Sequence, residues 1–205
     1  MKEIFYGFFQ KNMQAQALSP IEQAAANFKT ARTDLLIVVI ATLVNIVLVL
    51  TGSGSYFLFS ASIPYYLAVY GMLFTGKLPP EYYTGELAGM TFIDEKWLIV
   101  MLALAFIIMA LYAVCFFMLK KPNKVWFIVA LVAFCIDSVA MLFLINFDSS
   151  ALIDVVFHAL IIYYLIKGIR ACSVISNYEK EMANRPVIDQ EQGENPSPVE
   201  TNPFE

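Results

Sequence analysis

The sequence predicts an all-α integral membrane protein: a four-helix transmembrane bundle with an additional re-entrant or outer hydrophobic segment. Three observations predict it. Of the 205 residues, 60% are hydrophobic and 15% charged, where a soluble domain carries roughly 25% charged residues. A soluble chain of this size could not hide so much apolar surface. The second observation is run length. Trp97 to Leu119 is 23 residues without a charge, Val125 to Phe147 is 23 residues whose only charge is Asp137, and Ala151 to Ile166 is apolar apart from Asp154 and His158. A bilayer core about 30 Å thick takes about 20 such residues at about 1.5 Å each. One such run could be a buried soluble helix, but three could not. Thirdly, the runs are continuous rather than alternating, which excludes a transmembrane barrel.

The elements follow in order. "MKEIFYGFFQKNMQAQ" mixes aromatics with Lys2 and Lys11; it reads either as a short amphipathic element on the interface or as a loosely ordered terminus. Ser19 then offers an N-cap, Pro20 a first helical position, and Glu22 the third residue of a capping box. Little interrupts a helix from Pro20 until Gly52. Its first part, to residue 33, belongs to a cytosolic N-terminal region, and about 34–51 enters the bilayer. This apolar run starts too late for a usual signal peptide, so it reads as a retained signal-anchor.

"TGSGS" (51–55) breaks the helix. Residues 56–75 are apolar yet carry Ser60, Ser62, Pro64, Tyr65, Tyr66 and Tyr70. Their length would allow a fifth span, which is the alternative architecture. Charge bias argues for four, because basic residues collect on the cytoplasmic side. Lys29 and Arg32 precede the first run, Lys120, Lys121 and Lys124 separate the two long runs, and Lys167 and Arg170 follow the last. All three clusters share a side only if 56–75 does not cross. Proline beside Ser and Tyr hydroxyls suits a backbone that leaves helical form at membrane depth, where protein must satisfy its polar groups. The remaining spans are expected at about 97–119, 125–147 and 151–169, with an outer loop at 76–96 and both termini cytosolic. Residues 171–205 read as an acidic, disordered tail: Asn177 to Glu205 alone carries −5 against a whole-chain charge of −4. The closing "NPFE" is too short to assign as a docking peptide.

Ionisable groups inside apolar runs are functional candidates in a membrane. Asp137 lies ten residues inside the outer end of its run and His158 about eight inside the next, which places both roughly 12–15 Å deep. The tight hairpin between them makes the two helices antiparallel neighbours. Asp154, four residues before His158, shares its face and sits about one turn nearer the outer surface. Asn45 enters from the first span. Each must pair, reach water or be neutral. The functional reading is a proton or ion relay; the structural reading is a hydrogen bond fixing helix register, with Asn45 as glue and Ser138 bonded to its own backbone. Water access discriminates: a hydrated Asp137 favours transport, a sealed and paired one favours structure.

Other chemistry is poorly represented. A single histidine forbids HExxH, and the chain has no GxSxG, no phosphate loop and no CxxC; no cofactor and no metal site are expected. No surface is basic enough for nucleic acid. Cys172, beside Lys167 and Arg170, could be acylated, though a free thiol is the plainer reading. Three functions compete. The first is an oligomeric transporter or channel using Asp137, His158 and Asp154, with the tyrosines of 56–75 as a vestibule wall. The second is a non-enzymatic scaffold or accessory subunit of a membrane complex, packed through Ala24, Ala25 and Ala26. The third is a lipid-directed enzyme, for instance a hydrolase pairing His158 with Ser60 or Ser62, which has no motif behind it. The expected partners are membrane lipids and a second copy or another membrane protein, in the plasma membrane.

Overall fold

The computed structural model describes residues 18–144 and 149–185, with backbone alone for 149–151. The N-terminal stretch, "NPFE" and most of the acidic tail lie outside the described residues. Among the described residues five helices follow one another: α1 (Pro20–Leu50), α2 (Ser62–Phe74), α3 (Lys96–Met118), α4 (Lys124–Leu144) and α5 (Ser149–Ala183), with two short 3₁₀ turns, Pro80–Tyr82 and Gly85–Leu87, in the loop after α2. Four of them, α1, α3, α4 and α5, are long and apolar enough to cross a membrane. The 13 residues of α2 reach only about 20 Å, short of the bilayer core.

Local chemistry sets the boundaries. Ser19 caps α1 reciprocally: its hydroxyl accepts from the Glu22 N–H (3.3 Å), while the Glu22 carboxylate accepts from the Ser19 N–H and hydroxyl, both 2.8 Å. Thr51 and Gly52, the latter with φ +71°, end α1. Asn123 opens α4 by accepting the Val125 N–H at 3.0 Å. Two boundaries differ from the sequence reading. The last helix starts at Ser149, two residues before the expected span of about 151–169, and continues to Ala183, so 171–183 is helix rather than disordered tail. The reason is composition: "ACSVISNYEKEMA" holds no Gly or Pro and ends in good helix formers, and the next breaker is Pro186. Apolarity falls away after residue 170 while helix-forming composition continues.

The helices are apolar outside as well as inside. Ile99, Ile107 and Phe143 are 68%, 66% and 86% exposed, and α3 buries only Ala105, Tyr112 and Cys115. Such a surface is stable only against lipid. Between helices, close packing and polar contacts hold the bundle, since lipid tails compete equally for apolar side chains. The most extensive interface joins α1 to α5. There Gly168 lets the helices close: a Cβ at 168 would stand 2.8 Å from Ala31 Cβ and 2.8 Å from Phe127 Cζ. α2 lies chiefly on α3, where Gly71 abuts Leu98 and Met101.

The interior is layered. One apolar cluster, with Leu35, Tyr112, Phe127, Phe134 and Leu165, fills the half nearer the basic ends of the helices. A second, with Ile46, Ala68, Met72 and Ala105, fills the other half. Between them lies a buried polar layer: Thr42, Asn45, Ser60, Ser62, Asp137 and His158, each 5% exposed or less.

Candidate functional site

The polar layer is built around the N-terminal end of α2. A helix leaves its first amides without intrahelical partners, and α2 supplies no side-chain cap of its own. Each of the four positions is nevertheless met. The Ala61 N–H donates to Thr42 Oγ1 at 2.8 Å, the Ser62 N–H to Asp137 Oδ2 at 2.8 Å, and the Ile63 N–H to Asp137 Oδ1 at 2.8 Å. The fourth position is Pro64, which has no N–H to satisfy. A carboxylate from α4 thus caps α2 from outside. The charge suits the place, because a helix N-terminus carries a partial positive charge and bonds to a carboxylate are the stronger kind.

His158 completes the cluster. Its Nδ1 lies 2.9 Å from the Asp154 backbone carbonyl; a carbonyl only accepts, so Nδ1 carries a proton. Nε2 then faces Ser62 Oγ at 3.2 Å and Asp137 Oδ2 at 3.4 Å. A neutral ring accepts the Ser62 hydroxyl proton there, and a charged ring donates toward Asp137. The Phe134 ring stacks on the imidazole, centroids 5.1 Å apart, and fixes its plane.

The irregular segment leading into α2 is held by α1. Asn45 accepts the Phe57 N–H at 2.7 Å and donates to the Phe57 carbonyl (2.7 Å) and to Ser60 Oγ (2.9 Å). Phe59 adopts a left-handed φ of +67°, unusual for a bulky residue, and its ring packs on Phe157 at 4.0 Å. This twist precedes the two residues that meet Asn45 and Thr42. Tyr56 reaches the same group, receiving the Ser60 hydroxyl at 3.4 Å.

The sequence-derived candidates divide as follows. Asp137, His158 and Ser62 meet directly, and Asn45 and Ser60 meet one layer away. Asp154 gives its backbone carbonyl to His158, and its carboxylate lies within electrostatic reach of Tyr56 and Tyr65. Ser138 donates to the Phe134 carbonyl of its own helix at 2.7 Å. Pro64 fills the first turn of α2. Tyr65 packs on Tyr56, and Tyr66 and Tyr70 stack in a row that Phe74 continues. Cys172 is free but only 3% exposed, and it lies beside Asn123 of the α3–α4 loop in the wall of a cavity at the basic end of the bundle. Of the three alanines, Ala24 is buried while Ala25 and Ala26 are exposed.

Sequence reasoning missed Thr42, the backbone amides of Ser62 and Ile63, and two inner polar atoms. The Tyr112 hydroxyl and Asp34 Oδ2 are buried and have no hydrogen-bond partner among the described residues. One signal could have found the amides: a helix opening "ASIP" has no capping side chain, so its donors need an acceptor from elsewhere. Beyond the layer, away from the basic helix ends, a cavity of about 230 Å³ lies between α1, α2 and the loop that follows α2, with Val49, Ser53, Tyr65, Val69 and Tyr82 in its walls.

The hydrolase geometry is present only in part. Ser62 and His158 are in hydrogen-bond reach, but Ser62 is 2% exposed, and the two amides that could stabilise an oxyanion are filled by a carboxylate that would repel one. Among the described residues no three His, Cys, Asp or Glu side chains converge to hold a metal. Nothing matches this chain among protein-family models, curated proteins or solved structures. What its own geometry establishes is a small, all-helical, multi-pass membrane protein with a buried Asp137–His158 pair.

Proposed function

We propose that the protein is a proton-responsive membrane transporter or channel in which α2 is a re-entrant half-helix and Asp137–His158 is the latch on its inner end. The basic ends of α1, α4 and α5 face the cytosol in this reading, and both termini lie there. One observation carries it: the titratable pair sits on the first amides of a helix that stops halfway across the bundle. Capping α2 requires only a carboxylate. A histidine in contact with that carboxylate and with Ser62 adds nothing the cap needs, but makes it sensitive to a proton. Half-helix ends near the midplane are where transporters place their coupling groups.

The burial of Asp137 shapes the assignment. At 1% exposure it is sealed and paired, which by the criterion of water access favours a structural role for the carboxylate and weighs against a standing relay through it. It holds the gate rather than lining the path. The outer cavity and Tyr56 lie on one side of the latch, and the unpartnered Tyr112 and Asp34 atoms on the other. Protonating Asp137 would turn two charge-assisted bonds into weaker neutral ones and free the end of α2.

The test is flux. Purified protein in liposomes holding a pH-sensitive dye is subjected to steps of external pH and of potassium gradient. Gated proton or cation flux that shifts in pH response with Asp137→Asn and His158→Gln is the expected result. No flux at any pH from folded protein would refute transport. It would leave the second reading, an accessory subunit, which is favoured by the α1–α5 pair extending past the span and which predicts a fixed partner on gentle extraction.

A further inference from the structure

At the basic end of the bundle, the α3–α4 loop and the last turns of α5 enclose a second cavity of about 420 Å³. Its walls carry Lys121, Lys124 and Lys180 together with Asn123, Ser173 and Ser176. Among the described residues the lining includes no carboxylate; Glu179 and Glu181 flank Lys180 in sequence but are not among the walls. No ion pair is formed by any of the three lysines among the described residues. Three lysines in one wall beside hydroxyls and amides, with no acid among the described lining residues, give the cavity a positive potential that attracts an anion.

The depth of the cavity identifies the anion. Lys124 is the first residue of α4, and Val125, also in the cavity wall, begins its apolar stretch. The cavity therefore lies at headgroup level. Below it an apolar ridge leads away along α4: Val125, Ile128, Val132, Ile136, Val139 and Phe143, all exposed. These residues recur at intervals of three and four, so they form one continuous stripe on a helix. A free phosphate would use the lysines and ignore the ridge. A phospholipid uses both, its phosphate among the lysines and an acyl chain on the stripe.

We propose that this cavity is a binding site for an anionic phospholipid, with Lys121, Lys124 and Lys180 on the headgroup phosphate and the α4 ridge beneath one acyl chain. Basic pockets at the cytoplasmic ends of helices are suited to such headgroups. The proposal needs only that the bundle is embedded in lipid; it stands or falls apart from the transport reading.

The experiment uses the full chain in nanodiscs of phosphatidylcholine containing a small fraction of fluorescent phosphatidylglycerol, read by energy transfer from the protein's tryptophans. The variant is K121Q/K124Q/K180Q. A Lys near an anionic lipid surface contributes about fivefold to binding, so the triple change is expected to lower the preference for phosphatidylglycerol by about 100-fold at low salt. The control is K167Q/R170Q, which removes basic charge at the other groove of the same end, beside Tyr163 and Ala24. It is expected to change the preference severalfold at most. Equal losses per charge removed in the two variants would overturn the site in favour of diffuse attraction. Inorganic phosphate or glycerol phosphate displacing the probe at equal concentration would overturn the lipid and leave a soluble anion. Thermal unfolding of each variant checks that it is folded; should the triple variant not fold, K180Q alone, on an exposed helix face, is expected to lower the preference about fivefold, and no change there would overturn the proposal.

Discussion

Replacing Asp137 by Asn tests the central claim that this carboxylate holds the end of α2. The two side chains have nearly the same shape, so packing is kept and bonding changes. Asp137 accepts from two amides, Ser62 and Ile63, each at 2.8 Å. An Asn offers one oxygen; its NH₂ must face the other N–H, donor against donor. One charge-assisted bond worth about 1.5–3 kcal/mol is lost, and one buried amide is left bare at about 1–3 kcal/mol. The favourable meeting of a negative charge with the helix end, about 0.3–2 kcal/mol, goes as well. These overlap, and the net loss should fall near 3–5 kcal/mol, the range for breaking a buried charged partnership. Equilibrium unfolding in mixed micelles measures the total. Hydrogen exchange locates it: Ser62 and Ile63 should lose protection before the α1–α5 seam at Gly168 does. A change below about 0.5 kcal/mol, the ordinary effect of an inconsequential substitution, with both amides still protected, would refute the reasoning.

Four further outcomes are expected. His158→Gln should cost less, about 1 kcal/mol, because Asp137 keeps both amides; a double-mutant cycle with Asp137→Asn should show coupling of at least about 0.5 kcal/mol. Gly168→Ala should destabilise by about 1–3 kcal/mol in thermal unfolding, since its Cβ would stand 2.8 Å from Ala31 and Phe127 and the seam must part. Asn45→Ala removes the clamp on Phe57, so exchange of the Phe57 amide should quicken by about tenfold or more, a cost of about 1.4 kcal/mol. At the start of α1, the Ser19 hydroxyl and then the Ser19 amide hold the Glu22 carboxyl below its ordinary value. Its contribution is present above the ordinary carboxylate range and is lost as pH falls through the depressed folded value; fraying of Pro20 to Ala24, followed by NMR, should therefore begin only in acid, and Glu22→Ala should fray at every pH.

Much of the fold was legible because a bilayer simplifies the code. Run length located three of the long helices, the capping box at Ser19 and the break at Gly52 located α1, and charge bias set 56–75 apart from the spans. Asp137 and His158 could be brought to one level because a short hairpin between two helices leaves little choice of register. The partners of Asp137 were not legible. Backbone amides carry no letter, and nothing in "ASIP" states which carboxylate, many residues away, will receive them. Thr42 was hidden for a related reason: in an apolar helix a threonine usually bonds to its own backbone, as this one also does to Val38 at 2.6 Å. The end of α5 was misread because hydropathy reports where lipid stops, and helix continues beyond it.

The principal seam of the molecule joins the earliest helix to the latest. More than a hundred residues separate Leu50 from Gly168, so at about 5–20 residues per second α1 waits on the order of ten seconds on the ribosome's schedule before its main neighbour exists. During that interval Asn45 and Thr42 can recruit only the irregular segment and half-helix that follow them, and α2 has no Asp137 to rest on until α4 has emerged. The bundle closes like a clasp, last piece onto first. A chain cut short before Ser149 would therefore lose the largest partner surface of α1, keeping only its contacts with α2 and α3, and quality-control proteases would meet an open edge rather than a slightly smaller protein.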